Sequence, residues 1–150
     1  MAVLRDKPYP AVNFVVDLGT GQTDGPEAGL AEVVFPEARL YIREYRSGNE
    51  KTSEPRKIQT LTHYGNLLLR RGTLGSLSWY QWWNEARNGG QAVARTIVVR
   101  LLSDDHSTIV LSWKFLHARP INHQFAPLNA LANEALMETL EIAFERLEME

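Results

Sequence analysis

The sequence predicts a mainly β domain carrying one α-helix, and three observations support this. Apolar residues alternate with a period of two in stretches near residues 12–18, 33–45 and 108–118. One stretch near 77–88 has the 3.6-residue period of a helix instead. No shift in composition, internal repeat or low-complexity tract divides the 150 residues, so they form a single domain long enough to bury a core.

In chain order, Val12, Phe14, Val16 and Leu18 fall on one side of the first strand and Asn13, Val15 and Asp17 on the other, with Gly19 and Gly21 ending it. The turn-rich segment GTGQTDGPEAG leads to a strand over 33–45, where Leu40 and Ile42 share one face and Arg39, Tyr41, Arg43 and Tyr45 the opposite one. RSGNEKTSEPRKIQT, residues 46–60, has no hydrophobic period and carries Gly, Asn, Ser and Pro. It is predicted to be a long exposed loop, and loops of that length in compact domains are usually functional.

LTHYGNLLLRRG (61–72) is β-like. RTIVVRLL (95–102) and TIVLSWKFLHA (108–118) are strands joined by the polar turn SDDHS, the second with Ile109, Leu111, Trp113 and Phe115 on one face. Between these β regions, Trp79, Trp82, Trp83 and Ala86 stand at i, i+3, i+4 and i+7, the stripe of an amphipathic helix. Ser76 or Ser78 is suited to cap its start and Gly89 or Gly90 its end. The helical spacing makes the three tryptophans a core stripe before it makes them a stacking platform for sugars or bases. The last segment is ambiguous: Leu136, Leu140, Ala143 and Leu147 fit a helix, as does its Ala, Leu, Glu and Met content, while Leu140, Ile142 and Phe144 alternate as in a strand.

The net charge of −2 gives no general attraction to nucleic acid, but charge is unevenly placed. Between Arg43 and Arg71 seven basic residues (Arg43, Arg46, Lys51, Arg56, Lys57, Arg70 and Arg71) face three glutamates, and from Pro127 onward six glutamates face only Arg146. Two such zones serve either as solvated faces or as complementary surfaces between copies of the chain. Arg70 and Arg71 are placed to meet phosphate, yet no aromatic interleaves with the basic residues as single-strand binders require.

Chemistry finds little support. There is no cysteine, which removes disulfides, thiolate metal sites and cysteine nucleophiles. His63, His106, His117 and His123 lack metal-ligand spacing and read as ordinary turn and surface histidines, with Asp104 and Asp105 in a hairpin turn. GTGQTDG is neither a phosphate loop nor a dinucleotide fingerprint, and no nucleophile elbow is present. No cofactor is implied and an enzyme is not expected. The N-terminal residues lack the apolar core of a secretory signal and no stretch reaches the length of a membrane span, which points to synthesis in the cytoplasm.

Several motifs, in order, resemble the phage tail tube protein family. They are Gly29-Leu30, EYRSG (44–48), YGNLLLRRG (64–72), the helix YQWWNEAR (80–87), WKFLHARP (113–120) and the run from Pro127 to Leu147. Each is weak alone, but together they cover roughly residues 12–147. The resemblance implies a barrel or sandwich of six or so strands with one helix, similar to the hemolysin-coregulated protein of type VI secretion. It implies that the segment from Glu134 to Leu147 is mainly strand, against its local propensity. It further implies a structural subunit that forms stacked hexameric rings, the inner tube of a contractile phage tail or injection system, with sheath and baseplate proteins as partners and cargo in the lumen. Specific nucleic-acid binding is not part of that role. The loop at 46–60, through Arg46, Gly48, Asn49, Lys51, Arg56 and Lys57, is then the expected connector between rings. Alternatives are a tube initiator or adaptor on the baseplate and, from another class, a small barrel that holds a ligand with its tryptophans.

Overall fold

The computed structural model describes residues 2–90 and 94–150. Among them are nine strands and one α-helix: β1 (Phe14–Asp17), β2 (Glu32–Val34), β3 (Ala38–Tyr45), β4 (Arg56–Tyr64), β5 (Leu67–Gly72), α1 (Ser78–Arg87), β6 (Arg95–Leu102), β7 (Ile109–Phe125), β8 (Met137–Ala143) and β9 (Arg146–Met149). The expected six or so strands become nine because three stretches that look continuous in sequence are broken, the C-terminal one at Phe144-Glu145. Residues 33–45 divide at Pro36, which has no N–H to give to a ladder, and 61–72 divide at Gly65-Asn66.

Seven strands form one antiparallel sheet in the order β1-β6-β7-β8-β5-β2, with β9 also on β7. The long β7 joins its two halves. Up to Ala118 it pairs with β6 and β9, and from Arg119 to Phe125 with β8. Near the changeover His117 takes φ 54 and the register with β8 slips between Pro120 and Asn122. Such bulges let a strand turn its second half over the first. The side chains of β1, β5, β6, β7 and β8 then meet in one core of Val16, Leu67, Leu69, Ile97, Val99, Phe115, Ala118, Leu140 and Ile142, closed by Trp79 and Trp82 of α1.

The C-terminal segment is strand, as the resemblance implies. In β8 every second residue is buried, and each of its two edges is paired, to β5 and to β7. Burial on a two-sided partner outweighs the helix propensity of the same residues.

The helix falls where its periodicity places it, but its stripe is narrower than expected. Trp79 and Trp82 are buried, whereas Trp83 is half-buried, beside Tyr80 and under the Arg87 guanidinium at 4.7 Å. Neither serine is the N-cap: that position is Leu77, and Ser76 Oγ instead accepts the Ser78 N–H at 3.3 Å. The C-terminal expectation holds at Gly89. With φ 78 it reverses the chain, Gly89 N–H donates to Ala86 and Gly90 N–H to Glu85, the paired bonds of a Schellman motif.

The expected loop at 46–60 is shorter. Residues 56–60 belong to β4 and pair with β3, so the turn spans 46–55. No hydrophobic period marks this strand because both faces of the β3–β4 hairpin are exposed.

The difference between the tryptophans is measurable. Trp82→Ala should lower the urea-unfolding free energy by about 3–5 kcal/mol, the cost of emptying a buried aromatic site, and Trp83→Ala by less than half as much.

Candidate assembly surface

Buried alternation in β5 and β8 continues past the last leucine to a charged pair. Leu67, Leu69 and Arg71 point inward from β5, as do Glu138, Leu140 and Ile142 from β8, and the register sets Arg71 opposite Glu138. Arg71 Nε donates to Glu138 Oε1 at 2.5 Å, with the two side chains 1% and 3% exposed. Arg71 Nη1 donates to the Glu27 carbonyl at 3.1 Å, and its guanidinium lies 4.2 Å from the Trp79 ring centre. His123 Nε2 reaches the other Glu138 oxygen at 2.9 Å; facing a carboxylate, that nitrogen is the donor. His123 is therefore an interior residue, not the surface histidine its sequence context suggested.

This pairing changes the picture of two opposed charge zones, since Arg71 and Glu138 neutralise each other inside the subunit. Arg70 meets Glu32 at 3.2 Å, Lys114 meets Glu150 at 2.9 Å and Arg146 meets Glu148 at 3.1 Å. The Lys114 contact holds the Glu150 carboxyl below its usual range. In the turn after β6, hydrogen bonds from Ser103 and Ser107 hold the Asp105 carboxyl well below the carboxylate range, and His106 takes a left-handed φ of 62. Those residues build a turn. Among the described residues no three His, Asp or Glu groups converge as a metal site would require. The cavity beside Trp79 and Trp82 holds about 90 Å³, well under the roughly 300–1,000 Å³ of small-molecule sites. That cavity is too small for a drug-sized ligand against Trp79 and Trp82.

The least buried structure is the β3–β4 hairpin, a two-stranded sheet of its own. Leu40, Tyr41, Ile42, Tyr45, Ile58 and Leu61 are each between 45% and 69% exposed. The hairpin touches the body at its base, where Tyr64 meets Phe144 with ring centres 5.2 Å apart, and the Gly65 N–H donates to the Glu37 carbonyl to close the hairpin itself. The structure divides the expected connector residues. Arg46 turns inward, its guanidinium donating to the Thr52 and Glu50 carbonyls, and so shapes the tip. Gly48, Asn49 and Lys51 stand exposed on that tip, while Arg56 and Lys57 lie in β4, Arg56 3.6 Å from Glu50 and Lys57 opposite Glu44. Arg39, Tyr41, Arg43 and Tyr45 share one face of β3, as their period-two spacing predicts, so aromatics do interleave with basic residues here, contrary to the expectation drawn for Arg70 and Arg71. A second exposed feature is the segment after β7, where Leu128 and Leu131 are 87% and 95% exposed.

Among the described residues the fold is thus an antiparallel sheet doubled over on one long strand, with a single α-helix across its core and a hairpin that stands apart. The same fold occurs in a chain of the anti-feeding prophage baseplate (six-fold symmetrised; TM-score 0.82, 21% identity, 97% of each chain covered). It occurs also in a chain of the PVC extracellular contractile injection system, sheath-tube complex in the extended state (TM-score 0.80, 20% identity, 95% of this chain and 91% of that one). Hcp1 from Flavobacterium johnsoniae is more distant (TM-score 0.57, 17% identity, 91% and 94% covered). No curated protein sequence matches the chain. The family is settled by sequence: residues 10–148 match the T4-like virus tail tube protein gp19 family, and the chain belongs to it. It is a structural family. No helix among the described residues is long and apolar enough to cross a membrane.

Glu138→Ala should strip the buried Arg71 of its counter-charge and cost about 3–5 kcal/mol of stability in urea unfolding. Replacing the pair together, Arg71→Met with Glu138→Leu, should recover most of that loss, since the penalty lies in the unpaired charge.

Proposed function

We propose that six copies of this chain close into a ring and that rings stack into the inner tube of a contractile, phage-tail-like particle, a hollow conduit for cargo within a sheath and on a baseplate. The observation that carries this reading is the β3–β4 hairpin. A two-stranded hairpin alone in water is marginal, and this one exposes Leu40, Ile42, Ile58 and Leu61 without packing against the rest of the subunit beyond its base. Among the described residues its outer edges, and those of β1 and β2, pair with no further strand. A closed ring supplies partners to such edges and removes the risk of open-ended aggregation. Family membership and the six-fold baseplate that shares the fold support the same arrangement.

The hairpin tip, with Gly48, Asn49 and Lys51 outermost and Arg56 and Lys57 below, is the connector to the next ring, where basic side chains meet acidic ones such as Glu134 or Glu145. A second reading, an initiator that seats the tube on the baseplate, is favoured by the likeness to a baseplate chain. Such a subunit forms rings that do not elongate by themselves.

Both parts are tested by reversing Lys51, Arg56 and Lys57 to glutamate. These are surface positions, so circular dichroism should show an intact fold. A loss of about 0.5 kcal/mol per subunit becomes roughly 3 kcal/mol over six, above a hundredfold in stacking. Electron microscopy should then show rings without rods. Rods of normal length from the folded variant would remove the tip as connector; rings without rods from the unaltered protein would favour the initiator.

A further inference from the structure

The two faces of the β3–β4 hairpin differ in chemistry. On one lie Leu40, Ile42, Thr62 and Tyr64, with Glu44 set against Lys57, and Tyr64 of this face packs on Phe144. Tyr64 thus anchors this side to the body at the base, while Leu40 and Ile42 farther out stay about half exposed. The other side carries Arg39, Tyr41, Arg43 and Tyr45 from β3 with Arg56, Ile58 and His63 opposite them in β4. Neither strand places an acidic residue on it, and among the described residues the one acid that reaches it is Glu50 of the tip. Among the described residues only Arg56 of its three arginines enters an ion pair, at 3.6 Å from Glu50, leaving Arg39 and Arg43 unpaired. Tyr41 and Tyr45 are 45% and 56% exposed, and Tyr41 lies against His63 with ring centres 5.8 Å apart.

Along a strand, alternate residues stand about 6.6 Å apart on the same face. Arginine and tyrosine thus succeed one another along one face of β3, guanidinium, ring, guanidinium, ring, past a register irregularity between Leu40 and Ile42. From this geometry we infer that the Arg39–Tyr41–Arg43–Tyr45 face is a sequence-independent binding site for single-stranded nucleic acid. The guanidiniums take the phosphates and the tyrosine rings take the bases. Cationic tracks with interleaved aromatics bind single strands because every base has a face to stack while the backbone charge is neutralised. An acidic polypeptide would use the arginines but gives no role to two exposed tyrosines at every second position. The hairpin paired as a sheet is what lines these residues up; Arg56 is shared with the connector proposed above, whereas Arg39, Tyr41, Arg43 and Tyr45 lie outside it.

The test is fluorescence anisotropy of a labelled oligothymidylate of about 30 nucleotides with the full chain, at about 50 and 200 mM salt, with oligomeric state followed by light scattering. Binding is expected at the lower salt and should weaken steeply at the higher. Arg39→Glu with Arg43→Glu should abolish it. Tyr41→Ala with Tyr45→Ala should weaken it roughly tenfold or more while leaving its salt slope unchanged. Lys7→Glu, a charge change elsewhere on the surface, should bind as the unaltered protein does. Circular dichroism confirms that each variant is folded. Absence of binding at low salt, binding that survives the double arginine reversal, or indifference to the tyrosine change with oligoglutamate competing equally well would each overturn the assignment. The last result would mark the face as a contact for acidic protein.

Discussion

The interior of this subunit is organised around one buried carboxylate. Glu138 accepts from Arg71 and His123, Arg71 in turn holds the Glu27 carbonyl and lies over Trp79, and these residues come from β8, β5, β7, α1 and the turn before β2. A charge in the interior tolerates few geometries, because each lost partner leaves a desolvated group. The cluster therefore fixes the register of β5 on β8 and the seat of the helix more narrowly than the leucines beside it, which a small slip would repack. Stability itself comes from the apolar core; the ion pair supplies its alignment.

Against this rigid body stands a hairpin with almost no support. The same chain spends its apolar residues unequally: Leu67, Leu69, Ile97, Phe115, Leu140 and Ile142 are wholly buried, while Leu40, Ile42, Ile58 and Leu61 are about half or more exposed. A protein that worked alone would gain nothing from that distribution. In an assembly it is economical, since a surface that is incomplete in one subunit is completed by the next and folding becomes linked to association. The turn at the hairpin tip is held within the chain by Arg46, whose guanidinium donates to the Thr52 and Glu50 carbonyls.

Much of this was legible in the sequence, and the exceptions have physical causes. Strand β7 and helix α1 declared themselves by their periods, and β6, buried at the consecutive Ile97, Val98 and Val99, by its apolar run. The C-terminal segment did not, since Leu136, Leu140, Ala143 and Leu147 satisfy a helix as well as Leu140 and Ile142 satisfy a strand; only the flanking β5 and β7 decide it. The first residues of β4 were hidden among loop residues because a strand exposed on both faces has no reason to alternate. The Glu138 cluster was invisible for a different reason. Arg71, His123 and Glu138 are distant in sequence, and nothing local to any of them signals burial, although Arg71 does sit two residues after Leu69, in phase with the inward face of β5. The motif order that resembles the tail tube family carried the fold where periodicity failed.

The central claim is that the subunit is built to be completed by its own copies. Mass measurement of the purified, unaltered chain by light scattering over a wide concentration range tests it most directly. A hexamer of the 17.0 kDa chain, about 102 kDa, or longer stacks of it, is the predicted result. A species that stays at 17.0 kDa at every concentration would contradict the account.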